Sequence, residues 1–120
     1  MSNDFRELLK VKMDEYAHTA YRVTKKFPKE ELYGVTSQLR RAALSIVLNY
    51  IEGYARRRPA QCFHFWEISY GSLKEAKYLI TFCYDEGYVT ENDFERLTVL
   101  GEEIGAMLWK ALDSLSKHVK

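Results

Sequence analysis

The sequence contains few residues that break helices. It has 2 prolines and 6 glycines among 120 residues, and good helix formers dominate the remainder. This scarcity argues against many short strands joined by turns and favours a few long helices. Apolar residues make up 47% of the chain and aromatic residues 14%. That content is enough for the core of one domain and excludes a disordered chain.

Long apolar runs are also missing. No segment reaches the roughly 18 apolar residues of a membrane span, and the N-terminal MSNDFRELLK lacks the apolar stretch of a signal peptide. We therefore expect a cytoplasmic protein with no membrane partner. The two cysteines, Cys62 and Cys83, lie about 30 Å apart if they share one helix, so we expect both to be reduced, buried thiols.

Neither sign of charge dominates the whole chain, but its two halves differ. Residues 1–60 carry 12 basic and 7 acidic residues, a net charge of +5. Residues 61–120 carry 6 basic and 10 acidic residues, a net charge of −4. This asymmetry suits a nucleic-acid partner on one surface or head-to-tail contact between copies of the chain, and composition does not choose between them.

Apolar residues recur at three- and four-residue steps over four segments. The pattern predicts an all-α, antiparallel up-down-up-down four-helix bundle in a single domain, 1–120, with helices at about 4–26, 35–55, 59–85 and 91–119. Asn3 is the expected N-cap of the first helix, Pro59 opens the third, and Thr90 caps the fourth. The expected core stripe of the first helix contains Phe5, Leu8, Leu9, Met13, Tyr16, Ala20, Val23 and Phe27.

The second predicted helix carries two apolar stripes. Its core stripe contains Ala42, Ala43 and Gly53, which let a neighbouring helix approach closely, with Ile46 among its bulky members. One packing partner cannot bury both stripes. We predict an oligomer interface made of the second stripe and of outward aromatic residues on the next two helices: Leu44, Val47, Leu48, Ile51, Tyr54, Tyr78, Phe82 and Trp109.

A basic cluster is the main candidate for nucleic-acid binding. We predict that it contains Lys25, Lys26, Arg40, Arg41, Arg56, Arg57 and Arg58. The last three, which we call the arginine run, are explained equally well by a solvated helix end.

A polar ridge also follows the second helix at three- and four-residue steps. Its members are Gln38, Arg41, Ser45, Asn49 and Glu52. The ridge could recognise phosphates or a partner chain. The need to pair half-buried polar groups instead favours a hydrogen-bonded seam between helices.

Enzyme signatures are sparse. Arg58 and His64 have the Arg-x(4 to 6)-His spacing of small helical RNases of the HEPN class, in which His64 would act as acid or base and Arg58 would hold the phosphate. Pro59 separates them at a helix start. Glu15-x-x-His18 copies part of a di-iron motif, yet both side chains point away from the apolar face of the first helix. We expect no catalytic residues, no metal and no cofactor, with the RNase as the alternative.

A series of short motifs runs through residues 27–75. They are Phe27-Pro28, Glu31, Tyr33-Gly34, Gln38-Leu39-Arg40-Arg41-Ala42-Ala43, Ser45-Ile46, Asn49, Glu52-Gly53, the arginine run, Phe65, Ile68 and Gly71-Ser72-Leu73-Lys74-Glu75. Together they resemble the four-helix-bundle family of bacterial 23S rRNA intervening-sequence proteins. That family typically has Pro-Ser at Val47-Leu48 and Ile-Ala at Tyr50-Ile51, so the outward stripe is more apolar in this chain.

The resemblance implies an antiparallel four-helix bundle that assembles as a ring, commonly a pentamer. A distant relative of that family is the accessory variability determinant of diversity-generating retroelements, a barrel-shaped pentamer that binds nucleic acid and a reverse transcriptase. On this basis we expect a non-enzymatic homo-oligomeric scaffold that binds RNA, DNA or a nucleic-acid enzyme such as a reverse transcriptase. Fold transfers between relatives more readily than function does.

Overall fold

The computed structural model of the protein describes residues 3–119, and the regular structure in this range is helical. Helix α1 spans Asn3–Thr24, α2 spans Val35–Tyr54, α3 spans Pro59–Asp85 and α4 spans Glu91–Ser116. Each helix packs against the next, and α4 closes the arrangement against α1. The predicted all-helical fold class is confirmed, with four helices arranged as a bundle. None of these described helices is long and apolar enough to cross a membrane.

The ends of α2 and α3 lie within one residue of their predicted positions, whereas the other helices are shorter than predicted. Helix α1 ends at Thr24 and α4 ends at Ser116. Asn3, the expected N-cap, is the first residue that the structure describes and already has helical backbone. Thr90 caps α4 as predicted, because its Oγ1 accepts a hydrogen bond from the Asp93 N–H at 3.2 Å.

The core lies between the four helices and receives large side chains from each of them. Its largest fully buried members include Tyr16, Leu9, Met13, Tyr50, Leu39, Ile46, Leu73, Leu97, Ile104 and Leu108. The prediction is wrong at Leu8, whose side chain is 50% exposed. Adjacent residues of a helix point in directions about 100° apart, so the side chain of Leu9 can lie in the centre of the core while that of Leu8 lies at its edge. Cys62 and Cys83 are both free thiols; Cys83 is buried as predicted, whereas Cys62 is half-buried.

Candidate functional site

The predicted basic cluster is divided between two ends of the bundle. Lys25 and Lys26 follow the C-terminus of α1, beside the start of α2, whereas the arginine run follows the C-terminus of α2. The 20 residues of α2 separate these ends by about 30 Å. The predicted residues therefore do not form one surface.

Arg40 and Arg41 connect α2 to its two neighbours. The Arg40 Nε donates a hydrogen bond to Thr24 Oγ1 at 2.8 Å, and its guanidinium lies 4.8 Å from the centre of the Tyr21 ring on α1. Arg41 forms an ion pair with Glu75 of α3 at 2.5 Å. Arg40 therefore contributes to the packing of α2 against α1, whereas the exposed Arg41–Glu75 pair joins α2 to α3 at the surface.

The arginine run extends from the bundle at the connection between α2 and α3. Arg56 forms an ion pair with Glu52, and its guanidinium lies 4.8 Å from the centre of the Phe65 ring. Arg57 and Arg58 are exposed, and no ion pair within residues 3–119 involves either of them. Two guanidinium groups are therefore available at this end of the bundle.

Arg6 of α1 joins the same end, although it was not among the predicted residues. Its guanidinium lies 4.8 Å from the centre of the Tyr54 ring, at the end of the neighbouring antiparallel helix. Burial raises the pKa of Tyr50 to about 12 and that of Cys62 to about 11, and in both cases the positive charge of Arg6 acts in the opposite direction. The only sequence signal for this placement is the antiparallel pairing of the first two helices.

An aromatic cluster beneath Arg6 fixes the position of Tyr54. The rings of Tyr50 and Trp66 are stacked with centres 5.2 Å apart, and Tyr54 meets Tyr50 edge-on at 5.5 Å. The Trp66 Nε1 donates a hydrogen bond to the Tyr50 carbonyl oxygen at 3.1 Å. Gly53 permits this approach, because a Cβ at that position would lie 2.5 Å from Trp66 Cδ1.

We expect Gly53→Ala to destabilise the subunit by about 1–3 kcal/mol, because Trp66 would have to leave its stacked position. Gly71→Ala is the matched control within α3, since nothing described lies within 4 Å of a Cβ added there. Its expected effect is a gain of about 0.5–1 kcal/mol from helix propensity. Urea unfolding followed by circular dichroism measures both changes. Equal stabilities for the parent and the two variants would contradict the close contact at Gly53.

The middle of the polar ridge forms a seam between α2 and α3. The hydroxyl oxygens of Ser45 and Ser72 lie 2.6 Å apart, and Asn49 Nδ2 donates hydrogen bonds to the Ser45 carbonyl and hydroxyl oxygens at 2.9 Å. Ser69 also donates to the Ile46 carbonyl oxygen at 2.6 Å. Of the two interpretations of the ridge, these contacts support the hydrogen-bonded seam.

The second stripe of α2 is exposed except at Val47. Leu48 is 58% exposed, and Leu44 and Ile51 are exposed as well. Val47 is only 6% exposed, so its assignment to an oligomer interface is wrong. It lies seven residues, about two turns, from both Arg40 and Tyr54, and it faces α1 as they do.

Helix α3 extends this exposed surface. The Tyr50–Trp66 and Ser45–Ser72 contacts set a register that brings Ile68, which is 38% exposed, level with Leu48. We call Leu44, Leu48, Ile51 and Ile68 the apolar face. Sequence reasoning gave Ile68 no role in an interface.

The aromatic residues of α3 and α4 that were predicted for the oligomer interface lie outside the apolar face. Tyr78 and Phe82 are exposed further along α3, with ring centres 6.5 Å apart. Trp109 of α4 is 61% exposed, and its ring centre lies 5.7 Å from that of Tyr70. Trp109 therefore sits at the contact between α3 and α4.

The two residues of the RNase motif line different depressions. His64 borders a cavity of about 430 Å³ together with Arg56 and Phe65. Arg58 borders another of about 220 Å³. In the second enzyme motif, Glu15 forms an ion pair with Arg96 of α4. Within the described part of the chain, no three potential metal ligands are grouped together.

Comparison with known proteins identifies the family. A sequence model of the 23S rRNA-intervening sequence proteins matches residues 9–110. A solved structure from Bacteroides thetaiotaomicron, a protein of unknown function from the S23 ribosomal protein family, matches with a TM-score of 0.84 and 20% identity over 91% of this chain and 98% of that one. At this identity the likeness shows the fold alone, and no curated protein matches the sequence. Because the family match covers well over half of its length, the chain belongs to the 23S rRNA-intervening sequence protein family.

Proposed function

We propose that the protein is a non-enzymatic scaffold that forms a closed homo-oligomeric ring, a pentamer, and binds nucleic acid through its arginine-rich end. The observation that carries the proposal is the course of α2. Its exposed apolar stripe, with Leu48 at its centre, leads directly into the arginine run. The stripe suits contact with another copy of the chain, and the arginines suit phosphate groups.

The apolar face supports the ring. Exposed apolar side chains that cluster on one surface are typical of protein contacts, and here two neighbouring helices contribute them. A cyclic ring joins two different patches of each subunit, head to tail. The opposite net charges of the two halves of the sequence favour such an arrangement. The number five rests on the resemblance to ring-forming relatives.

The arginine run supports the nucleic-acid partner. Cyclic symmetry places equivalent residues of all subunits on the same side of a ring, so Arg57 and Arg58 would repeat around it. Guanidinium groups bind phosphate through paired hydrogen bonds, and phosphate contacts carry no base sequence information. RNA and DNA both satisfy this chemistry. A protein that binds either of them in this way would act in the cytoplasm. A reverse transcriptase, or another enzyme acting on nucleic acid, is the protein partner that the resemblance suggests.

Replacing all three residues of the arginine run by Ser is expected to weaken binding to every RNA and DNA sequence alike. Fluorescence anisotropy at roughly 50 and 200 mM salt measures the affinity and its salt dependence. The slope of log affinity against log salt should flatten by about 0.7–0.9 for each phosphate that the variant no longer neutralises.

A matched triple variant tests whether position or net charge matters. Lys25, Lys26 and Lys29 are exposed at the opposite end of the bundle, and replacing them by Ser removes the same charge. That variant should keep most of the affinity, since those lysines lie outside the proposed site. If both triple variants weaken nucleic-acid binding equally, the loss of affinity would follow from the change in net charge and not from the position of the arginines. His64→Ala should leave binding unchanged, whereas an RNA cleavage activity that disappears on His64→Ala would support the alternative, a small RNase.

A further inference from the structure

Arg6 contains a buried donor that lacks an acceptor. Its Nε has no hydrogen-bond partner in the part of the chain that the structure describes, and no carboxylate there forms an ion pair with it. Buried donors in folded proteins are almost always paired. The guanidinium is also held against Tyr54, at 4.8 Å from its ring centre. The Nε itself is covered, but the guanidinium is fixed in place without an ion pair to a described carboxylate, so its terminal N–H groups can take an acceptor from outside the subunit.

Arg6 and Tyr54 form the shared wall of two cavities. The larger, of about 520 Å³, has further walls from Tyr50 and Ile51. This volume lies in the usual range for small-molecule and cofactor sites. The smaller, of about 220 Å³, is bordered by the whole arginine run. A larger cavity with aromatic walls therefore adjoins a smaller cavity that is bordered by arginines.

Charge assigns different chemistry to the two cavities. The larger cavity is also lined by Asn3, Glu7 and Lys10. Lys10 forms an ion pair with Asp14 at 3.1 Å, and the carboxylate of Glu7 offsets the charge of Arg6, so little net positive charge remains there for a phosphate. The polar groups of this cavity can pair with the edge of a base. Among the described residues that line the smaller cavity, none is acidic. The smaller cavity is therefore the place for a phosphate, and the larger is the place for a nucleobase.

We propose that these cavities bind one nucleotide of a single-stranded nucleic acid, with its phosphate beside Arg6 and the arginine run and its base on the Arg6–Tyr54 stack. This inference rests on the proposed function and makes it specific for single strands. In a duplex the bases are paired and stacked, so only the phosphate contacts remain. Proteins that bind single strands combine a basic groove with flat side chains on which bases stack.

Two substitutions distinguish the contribution of base stacking to affinity from the contribution of positive charge. Arg6→Lys keeps the charge but loses the planar group, and Tyr54→Leu keeps an apolar side chain but loses the ring. The probes are a labelled single-stranded RNA of about 12 nucleotides and the duplex of the same length. Each variant should bind the single strand roughly 5- to 100-fold more weakly than the parent does. Duplex affinity should change less than about twofold, because the phosphate contacts remain.

Arg96→Lys is the matched control, because Arg96 is an arginine of α4 already paired with Glu15. It should bind both probes as the parent does. Melting by circular dichroism and mass by light scattering confirm that each variant keeps its fold and assembly. If Tyr54→Leu does not fold, Arg6→Lys alone decides the outcome.

Other outcomes distinguish the inference from the proposed function. Unchanged single-strand binding by both variants, while the variant without the arginine run binds neither probe, would overturn the nucleotide site and leave the proposed function intact. Equal weakening on single strand and duplex would show that Arg6 contributes charge alone and would also overturn the site. Loss of the ring on Arg6→Lys would assign the missing acceptor to a neighbouring subunit and overturn the site as well. A parent that binds neither probe refutes the proposed function together with this inference.

Discussion

Ile46→Asp and Leu73→Asp are each expected to abolish cooperative unfolding. Both side chains are fully buried, one on α2 and one on α3, and both belong to the same core. A carboxylate at either position would lose its hydration without gaining a cation. Small domains have stabilities of about 5–15 kcal/mol, so a buried unpaired charge removes much or all of that margin. Thermal melting followed by near- and far-ultraviolet circular dichroism measures the effect.

Adjacent leucines on α1 provide the matched comparison. Leu9 is 0% exposed and Leu8 is 50% exposed, although sequence periodicity placed both in the core. Leu9→Asp should behave like Ile46→Asp, whereas Leu8→Asp should change stability by about 1 kcal/mol or less. Parent-like melting of Ile46→Asp or Leu73→Asp would show that the core faces of α2 and α3 are assigned incorrectly.

Leu48→Glu is expected to dissociate the proposed ring into folded subunits. Leu48 is exposed in the subunit, so the new charge costs little there. At the centre of an interface the same charge would be desolvated, and central contacts contribute about 2 kcal/mol or more, a factor of roughly 30 at each interface. Sedimentation velocity at micromolar concentration should show an oligomer for the parent and a 14.1 kDa species for the variant.

Two further variants control for the position and the charge. Leu48→Met preserves apolar volume and should retain the ring. Val47→Glu places the same charge one residue earlier, where the side chain is buried within the subunit, and should unfold the protein instead of dissociating it. A parent that sediments as a monomer at this concentration would reject the ring.

Dissociation of the ring should also weaken nucleic-acid binding. Each free subunit presents a single arginine run, whereas a ring presents several to the same strand at high effective concentration. Leu48→Glu is therefore expected to lower RNA affinity although it lies outside the arginine run. If the RNA affinity of this variant is unchanged, binding does not depend on ring assembly, and one subunit contains the complete site.

Much of the fold could be predicted from the sequence, because helix formation depends on local features. Apolar periodicity located all four helices, Pro59 marked the start of α3, and Thr90 marked the start of α4. The motifs of residues 27–75 also identified the family correctly. These signals lie within a few turns of the chain, so no knowledge of packing is needed to recognise them.

The candidate site depended instead on the packing of the helices. Sequence composition alone showed a basic first half and an apolar surplus on α2, but it grouped Lys25 with Arg57 although α2 holds them at opposite ends. The sequence pattern also predicted that Val47 is exposed, and it did not include Arg6 in the candidate site. The rotation of each helix and the helix that it packs against are set by tertiary contacts. The antiparallel pairing of α1 and α2 brings Arg6 to Tyr54 across 48 positions of sequence. No local pattern records such a contact, since it arises only when separate helices bury a common core.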